Sequence, residues 1–266
     1  MTEDRYDLKR LVHKSEVYSD YFAVDWETAK EVHIRRFFDQ AADGAQRRWL
    51  EMFTRLGNQL TSLENAHITR VLESGSDEDG PFFIIEAHNL EIITDIFPEG
   101  MDNTSFEAMV TQVLEGLSYL HGKKLQHAAV SPHSVKVDQS RGSNHYKIDD
   151  IGLQFASSLM SYEAYSLDDY TFMAPEMFEN HATPFLSDIY MFGQLFFYNG
   201  AGGHPLAELP WQECQAKHQE GGFMNLNEAN SQISPEWAEW LKPLVAVNPQ
   251  ERPTVSEALA SMPRGL

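Results

Sequence analysis

A strand-rich first third followed by a helical remainder predicts an α+β chain whose two kinds of structure are segregated along the sequence. Three observations carry that prediction. Val17 to Val24 (VYSDYFAV) and Glu31 to Phe37 (EVHIRRF) are dense in β-branched and aromatic residues, the composition of strands. Phe106, Met109, Val110, Val113, Leu114, Leu117 and Leu120 recur at helical spacing. Ile189 to Tyr198 (IYMFGQLFFY) is apolar nearly all round, the mark of a buried central helix. At 266 residues and 42% hydrophobic content, the chain can bury a substantial core as one large domain or two lobes.

Taken in order, the first two strands are separated by the turn-like Asp25-Trp26-Glu27-Thr28. Ala45 to Leu56 reads as a helix closed by Gly57 and Asn58. Ile68 to Glu73 and Phe82 to Glu86 read as two further strands around the polar turn from Gly75 to Gly80. Ser105 or Thr104 is placed to cap the long helix that follows. Short strands from Ser134 to Val137 and from Tyr146 to Asp149 flank a loop containing Arg141-Gly142. After the buried helix, further helices are expected over Trp211 to Gln219, Pro235 to Val245 and Val255 to Met262. No internal repeat or low-complexity linker interrupts this order, so residues 1–266 read as a single domain, divided into 1–87 with the sheet and 88–266 with most of the helices.

Charge narrows the partners. The net charge is −20, from 40 acids against 20 bases, which argues against nucleic acid and against direct contact with anionic membranes. From Ile148 to Ala216 there is no Lys or Arg, while ten acids fall in the interval. Glu163, Asp168, Asp169, Glu179, Glu208 and Glu213 are its candidates for docking a protein partner with a basic segment. Cys214 is the only cysteine, which excludes an internal disulfide and a cysteine-rich zinc site. The charged start, Met1-Thr2-Glu3-Asp4-Arg5, lacks the apolar core of a signal peptide. A cytoplasmic protein, or the soluble domain of a longer one, is the expectation.

Six motifs follow one another at defined spacings. They are His121 with His127 six residues later, Asp150-Ile151-Gly152, Ala174-Pro175-Glu176, Ser187-Asp188 with Gly193, and Asn248 to Pro253 (NPQERP), preceded by Val32-His33-Ile34-Arg35. In this order they resemble the protein kinase family, serine/threonine type, over nearly the whole chain. The resemblance implies a two-lobed protein-kinase-like fold: a small β-rich lobe, a hinge, a larger helical lobe and a nucleotide cleft between them. It also implies a structural set. Glu176 and Arg252 would pair to fasten the activation segment, Asp188 would tie down the catalytic loop, and His127 and Ile151, followed by Gly152, would belong to the apolar column linking the lobes.

The positions that touch nucleotide, metal or substrate in the family depart from its pattern. In His127 to Ser134 (HAAVSPHS) the Arg position is Ala128, the catalytic Asp position is Ala129 and the Asn position is Ser134. Alanine at 129 has no group to accept a proton or orient a hydroxyl. The first glycine in the chain is Gly44, so the turn around Val12 to Tyr18 has none of the glycines that let a backbone approach phosphate. Arg35 stands where the phosphate-pairing lysine belongs, and its planar fork is not a lysine's point charge. Glu51 is the only acid of the following helix and lies more than a turn from the usual partner position, near Leu56. Asp150 is the one remaining metal-binding acid, with Asp149 beside it and expected to point to solvent.

The leading expectation is therefore a pseudokinase: a kinase-like domain that is not an enzyme and acts by binding proteins, with ATP, magnesium and other cofactors not expected. Two alternatives stay open. One is a nucleotide kept as a structural ligand by Arg35, Asp150 and the hinge residues Glu86 and His88. The other is an enzyme that uses its cleft in a non-standard way. On the leading reading, Arg35→Ala is expected to cost little.

Overall fold

The computed structural model describes residues 5–14, 18–38, 46–87, 90–128, 130–139, 142–152, 167–179, 183–222 and 225–265, with the backbone alone for 46, 49 and 167–169. Two compact units emerge. The first carries β1 (Tyr6–Lys14), β2 (Tyr18–Asp25), β3 (Lys30–Phe37), α1 (Gln46–Leu60), β4 (Val71–Asp77) and β5 (Gly80–Glu86). The second carries β6 (Leu90–Ile92), α2 (Ile93–Ile96), α3 (Asn103–Gly122), β7 (Val135–Asp138), β8 (His145–Ile148), α4 (Leu167–Phe172), α5 (Leu186–Ala201), α6 (Trp211–Glu220), α7 (Leu226–Ala229), α8 (Pro235–Leu244) and α9 (Val255–Ser261). Short 3₁₀ turns at Pro175–Glu179 and Pro249–Glu251 complete it.

In the first unit the strands form an antiparallel sheet in the order β1-β2-β3-β5-β4. Because side chains alternate across a strand, each face has its own core. Tyr6, Ala23, Val32, Ile34, Phe82 and Ile84 pack together on one. On the other, Phe37 lies against Phe83 with ring centres 4.9 Å apart and meets Phe53 of α1 at 4.3 Å. The second unit is organised around α5, buried on nearly every side, and α3, whose inward stripe runs from Phe106 to Leu120. Trp237 of α8 meets Phe106 edge-on at 5.2 Å, and the Trp240 indole donates to the Ala258 carbonyl at 3.1 Å. Among the described residues no helix is long and apolar enough to cross a membrane.

Several boundaries differ from the sequence expectation. β1 has no counterpart in it: exposed Leu8, Leu11 and Val12 break the inside–outside alternation that reveals a strand. Helix α1 does not stop at Gly57 and Asn58 but runs on to Leu60. Gly57 serves a close approach instead, since a Cβ there would sit 2.4 Å from the Ser74 hydroxyl of β4. Gly75, Ser76 and Asp77 belong to β4, leaving only Glu78 and Asp79 in the turn. The long helix is capped by Asp102, whose carboxylate accepts from the Ser105 N–H at 2.8 Å. β6, α2, α4 and α7 are too short to show a period in the sequence.

Candidate functional site

The loop after α3 is held by one carboxylate. Asp188, in the first turn of α5, accepts from the backbone N–H groups of His127 and Ala128, each at 2.9 Å, and bonds His121 Nε2 at 2.9 Å. Ala128 has φ +64°, a left-handed conformation that a residue with a Cβ adopts at a cost, and the clamp offsets it. His127 is fully buried, meets Phe192 edge-on at 5.2 Å, and donates from Nε2 to the Asp149 carbonyl at 2.7 Å. Burial pushes its pKa down, so the ring is a neutral donor that ties two loops together. Ala129 lies outside the described residues.

Ser134 is buried, and its hydroxyl accepts from the Ser131 N–H at 2.8 Å. Its carbonyl accepts from the Asp149 N–H at 2.8 Å. Asp149 does not point to solvent: it is buried, as is Asp150, which sits at φ +57°. Ile151 is also buried, and Gly152 follows at φ +74°, so two of three successive residues adopt left-handed backbone. Among the described residues no cluster of three metal-ligating side chains occurs.

Glu176 and Arg252 form a two-pronged pair at 2.7 and 2.8 Å. The remaining guanidinium N–H groups donate to the carbonyls of Ala246, Leu186 and Val247, and the Tyr190 ring lies 4.7 Å from its centre. Burial alone would raise the Glu176 pKa, but Arg252 and the Ser187 hydroxyl, donating at 2.6 Å, hold it below the usual value.

Arg35 is 4% exposed in the sheet of the first unit. Its Nε and Nη2 donate to the two carboxylate oxygens of Asp20 at 2.8 and 2.9 Å, and its guanidinium lies 4.2 Å from the Tyr18 ring centre. The expectation that Arg35→Ala costs little is corrected by this geometry, because removing the cation would strand a buried carboxylate. Asp20 itself went unnoticed in the sequence. Its signal was the hairpin register: Asp25 pairs with Lys30, which sets residue 20 opposite residue 35. Glu51 is exposed and pairs with Arg47 one turn away. Glu86 is exposed at the end of β5, with its N–H donating to the Arg70 carbonyl at 3.0 Å, while His88 lies outside the described residues.

On the second unit, Trp211 at the start of α6 is 39% exposed and lies 6.5 Å from the Tyr170 ring. Tyr170 stacks on Phe178 at 6.4 Å. Exposed Glu179 is next to Phe178 in the chain, and exposed Glu208 and Glu213 flank Trp211 in sequence. Asp168 and Asp169 are in α4, described by backbone only, and Glu163 lies outside the described residues.

Comparison with known proteins places this geometry. Residues 21–262 match the protein kinase domain family. The probable serine/threonine-protein kinase pknA2 of Bifidobacterium longum is 26% identical over 265 residues, covering 98% of this chain and 35% of that protein. Mitogen-activated protein kinase kinase kinase 9 of Arabidopsis thaliana is 27% identical over 246 residues, covering 90% of this chain and 29% of that protein. The chain thus spans about a third of the length of these relatives. Among solved structures, Rad53 1–466 in complex with AMP-PNP superposes with a TM-score of 0.77 at 19% identity, covering 96% of this chain and 64% of that one. A double mutant of the Mycobacterium tuberculosis PknI kinase domain does so with a TM-score of 0.75 at 18% identity, covering 97% and 94%. These matches overturn the expectation that the chain is not an enzyme: the relatives are named as serine/threonine protein kinases, and that points to an enzyme.

Proposed function

The chain belongs to the protein kinase domain family, and from that premise we propose that it serves as a regulatory, protein-binding member, docking a partner with a basic segment on its second unit. The observation that carries this reading is Trp211, an exposed aromatic whose ring lies tilted 6.5 Å from Tyr170, itself stacked on Phe178, and which is bordered in sequence by Glu208 and Glu213. A Lys or Arg side chain gains from an aromatic face and from neighbouring carboxylates together. The same chemistry repels nucleic acid and anionic membranes, and the one buried cysteine, Cys214, suits a cytoplasmic setting.

The residues present do not fit the family's magnesium–nucleotide arrangement. The Arg35 fork is engaged by Asp20, the Ser134 hydroxyl is buried and serves the Ser131 N–H, and the segment 12–18 has no glycine. A second reading, phosphoryl transfer, is favoured by the names of the relatives. It requires a proton acceptor other than residue 129 and a phosphate contact other than an unpaired Arg35.

The test is titration with an Arg- and Lys-rich peptide at several salt concentrations. Binding that weakens with salt and falls by about tenfold or more in Trp211→Ala and in Glu208→Lys/Glu213→Lys supports the docking reading. Equal binding by all three proteins sinks it. Transfer of labelled phosphate from ATP to a protein substrate, retained after repurification, would establish the second reading instead.

A further inference from the structure

Helix α1 presents the opposite charge to the acid-bordered Trp211. It carries Arg47, Arg48 and Arg55 against a single acid, Glu51, and all four are exposed. Arg47 takes Glu51 at 2.8 Å. Arg48 and Arg55 make no hydrogen bond or ion pair among the described residues, and their spacing of seven sets them on one side of the helix, two turns apart. Leu50, 37% exposed, and Thr54 one turn on line an open hollow together with Arg47 and Glu51. The cations of β1 are committed by contrast. Lys9 pairs with Asp7, the Arg10 guanidinium lies 5.6 Å from the Phe22 ring centre, and the Lys14 ammonium lies 5.8 Å from that of Phe38. On the second unit, Glu208 and Glu213 are exposed on either side of Trp211 in the chain and make no ion pair among the described residues.

We propose that the partner docked at Trp211 is a second copy of this chain, whose α1 supplies the basic segment. Trp211 of one copy sets against the hollow at Leu50 and Thr54 of the other, and Glu208 and Glu213 meet Arg48 and Arg55. The inference rests on the docking reading above and names its partner. Each surface supplies what the other lacks: an aromatic ring against an aliphatic lining, and carboxylates against guanidinium groups that can also stack on the indole face. Two unlike surfaces meet, so the contact is heterologous, and a pair of copies leaves one surface of each kind free for further copies. The net charge of −20 opposes the approach of two copies. At about 0.1 M salt the screening length is about 10 Å, which damps that long-range repulsion while charges in direct contact still attract.

Sedimentation velocity of the purified chain at about 0.1 M salt is the test. The wild type is expected to associate reversibly as its concentration rises. Arg48→Glu/Arg55→Glu and Glu208→Lys/Glu213→Lys should each weaken self-association at least about tenfold. Mixing the two variants in equal amounts should restore it, because every surface then finds the opposite charge. If a reversed variant fails to fold, Arg48→Gln/Arg55→Gln and Trp211→Ala carry the same comparison. The α1 variant should keep its binding of the Arg- and Lys-rich peptide, whereas the Glu208→Lys/Glu213→Lys variant loses it, so failure here is separable from failure of the docking reading. A wild type that binds the peptide yet stays monomeric at every concentration overturns the proposal and leaves that reading standing. Self-association that ignores either charge reversal, or that mixing does not restore, overturns it as well.

Discussion

At Arg252 all five guanidinium N–H donors are engaged, two by Glu176 and three by backbone carbonyls. Arg252→Ala therefore strands a half-buried carboxylate and three carbonyls, and should destabilise the protein by about 3 kcal/mol in urea unfolding at neutral pH. Arg252→Lys should recover little of that loss, because an ammonium cannot span both carboxylate oxygens and three carbonyls. Arg35 and Asp20 follow the same logic. Arg35→Ala should also cost about 3–5 kcal/mol, whereas the paired change Arg35→Met/Asp20→Leu, which removes both charges, should cost far less. Unfolding midpoints for the three proteins check this, and equal losses in the single and paired variants would contradict it. The two pairs differ in how readable they were. Glu176 and Arg252 sit in recognisable motifs, Ala174-Pro175-Glu176 and Asn248 to Pro253. Asp20 sits in no motif, and only strand register sets it opposite Arg35.

The element that misled the sequence reading most is α1. Glycine followed by asparagine ordinarily closes a helix, yet here the helix continues through both. The reason is a contact made by another element: β4 brings Ser74 to within 2.4 Å of where a Gly57 Cβ would stand. Gly57→Ala improves helix propensity by about 1 kcal/mol, but the clash outweighs that gain. The expected net loss is about 1–3 kcal/mol, and Gly57→Ala/Ser74→Gly should recover most of it. A stabilised single variant would show that the helix and β4 separate more easily than their packing implies. β1 was invisible for the complementary reason. It is an edge strand whose exposed basic side chains and two register shifts discourage edge-to-edge association, while its exposed apolar side chains blur the pattern of a strand.

At the scale of the molecule, buried histidines set the response to acid. The His218 Nε2–H donates to the Tyr170 carbonyl at 3.0 Å, while its Nδ1 accepts from the Tyr190 hydroxyl at 2.7 Å. The His204 Nε2–H donates to the Gln194 side-chain oxygen at 2.8 Å, and its Nδ1 accepts from the Leu206 N–H at 3.2 Å. Both rings are satisfied as neutral groups, and burial pushes their pKa values down, to about 4 for His218 and about 3 for His204. A histidine whose folded pKa is depressed contributes stability that is fully present above the unfolded value near 6.5 and is lost as pH falls toward the folded value. Stability should therefore drop between pH 7 and pH 5, by about 2 kcal/mol for each of the two histidines at pH 5. Urea midpoints across that range provide the check, and a flat profile would mean that the rings charge freely in the folded protein. The sequence alone determined the α+β class, the order of most elements, the acid-rich interval and the identity of the residues at each motif, because composition and period are local properties. The tertiary structure alone decided that Asp20 faces Arg35, that Gly57 lies inside a helix, that Asp149 is buried and that two distant histidines are neutral. Each of these depends on strand register or on packing between segments far apart in the chain, where local pattern carries no information about which side chain becomes whose neighbour.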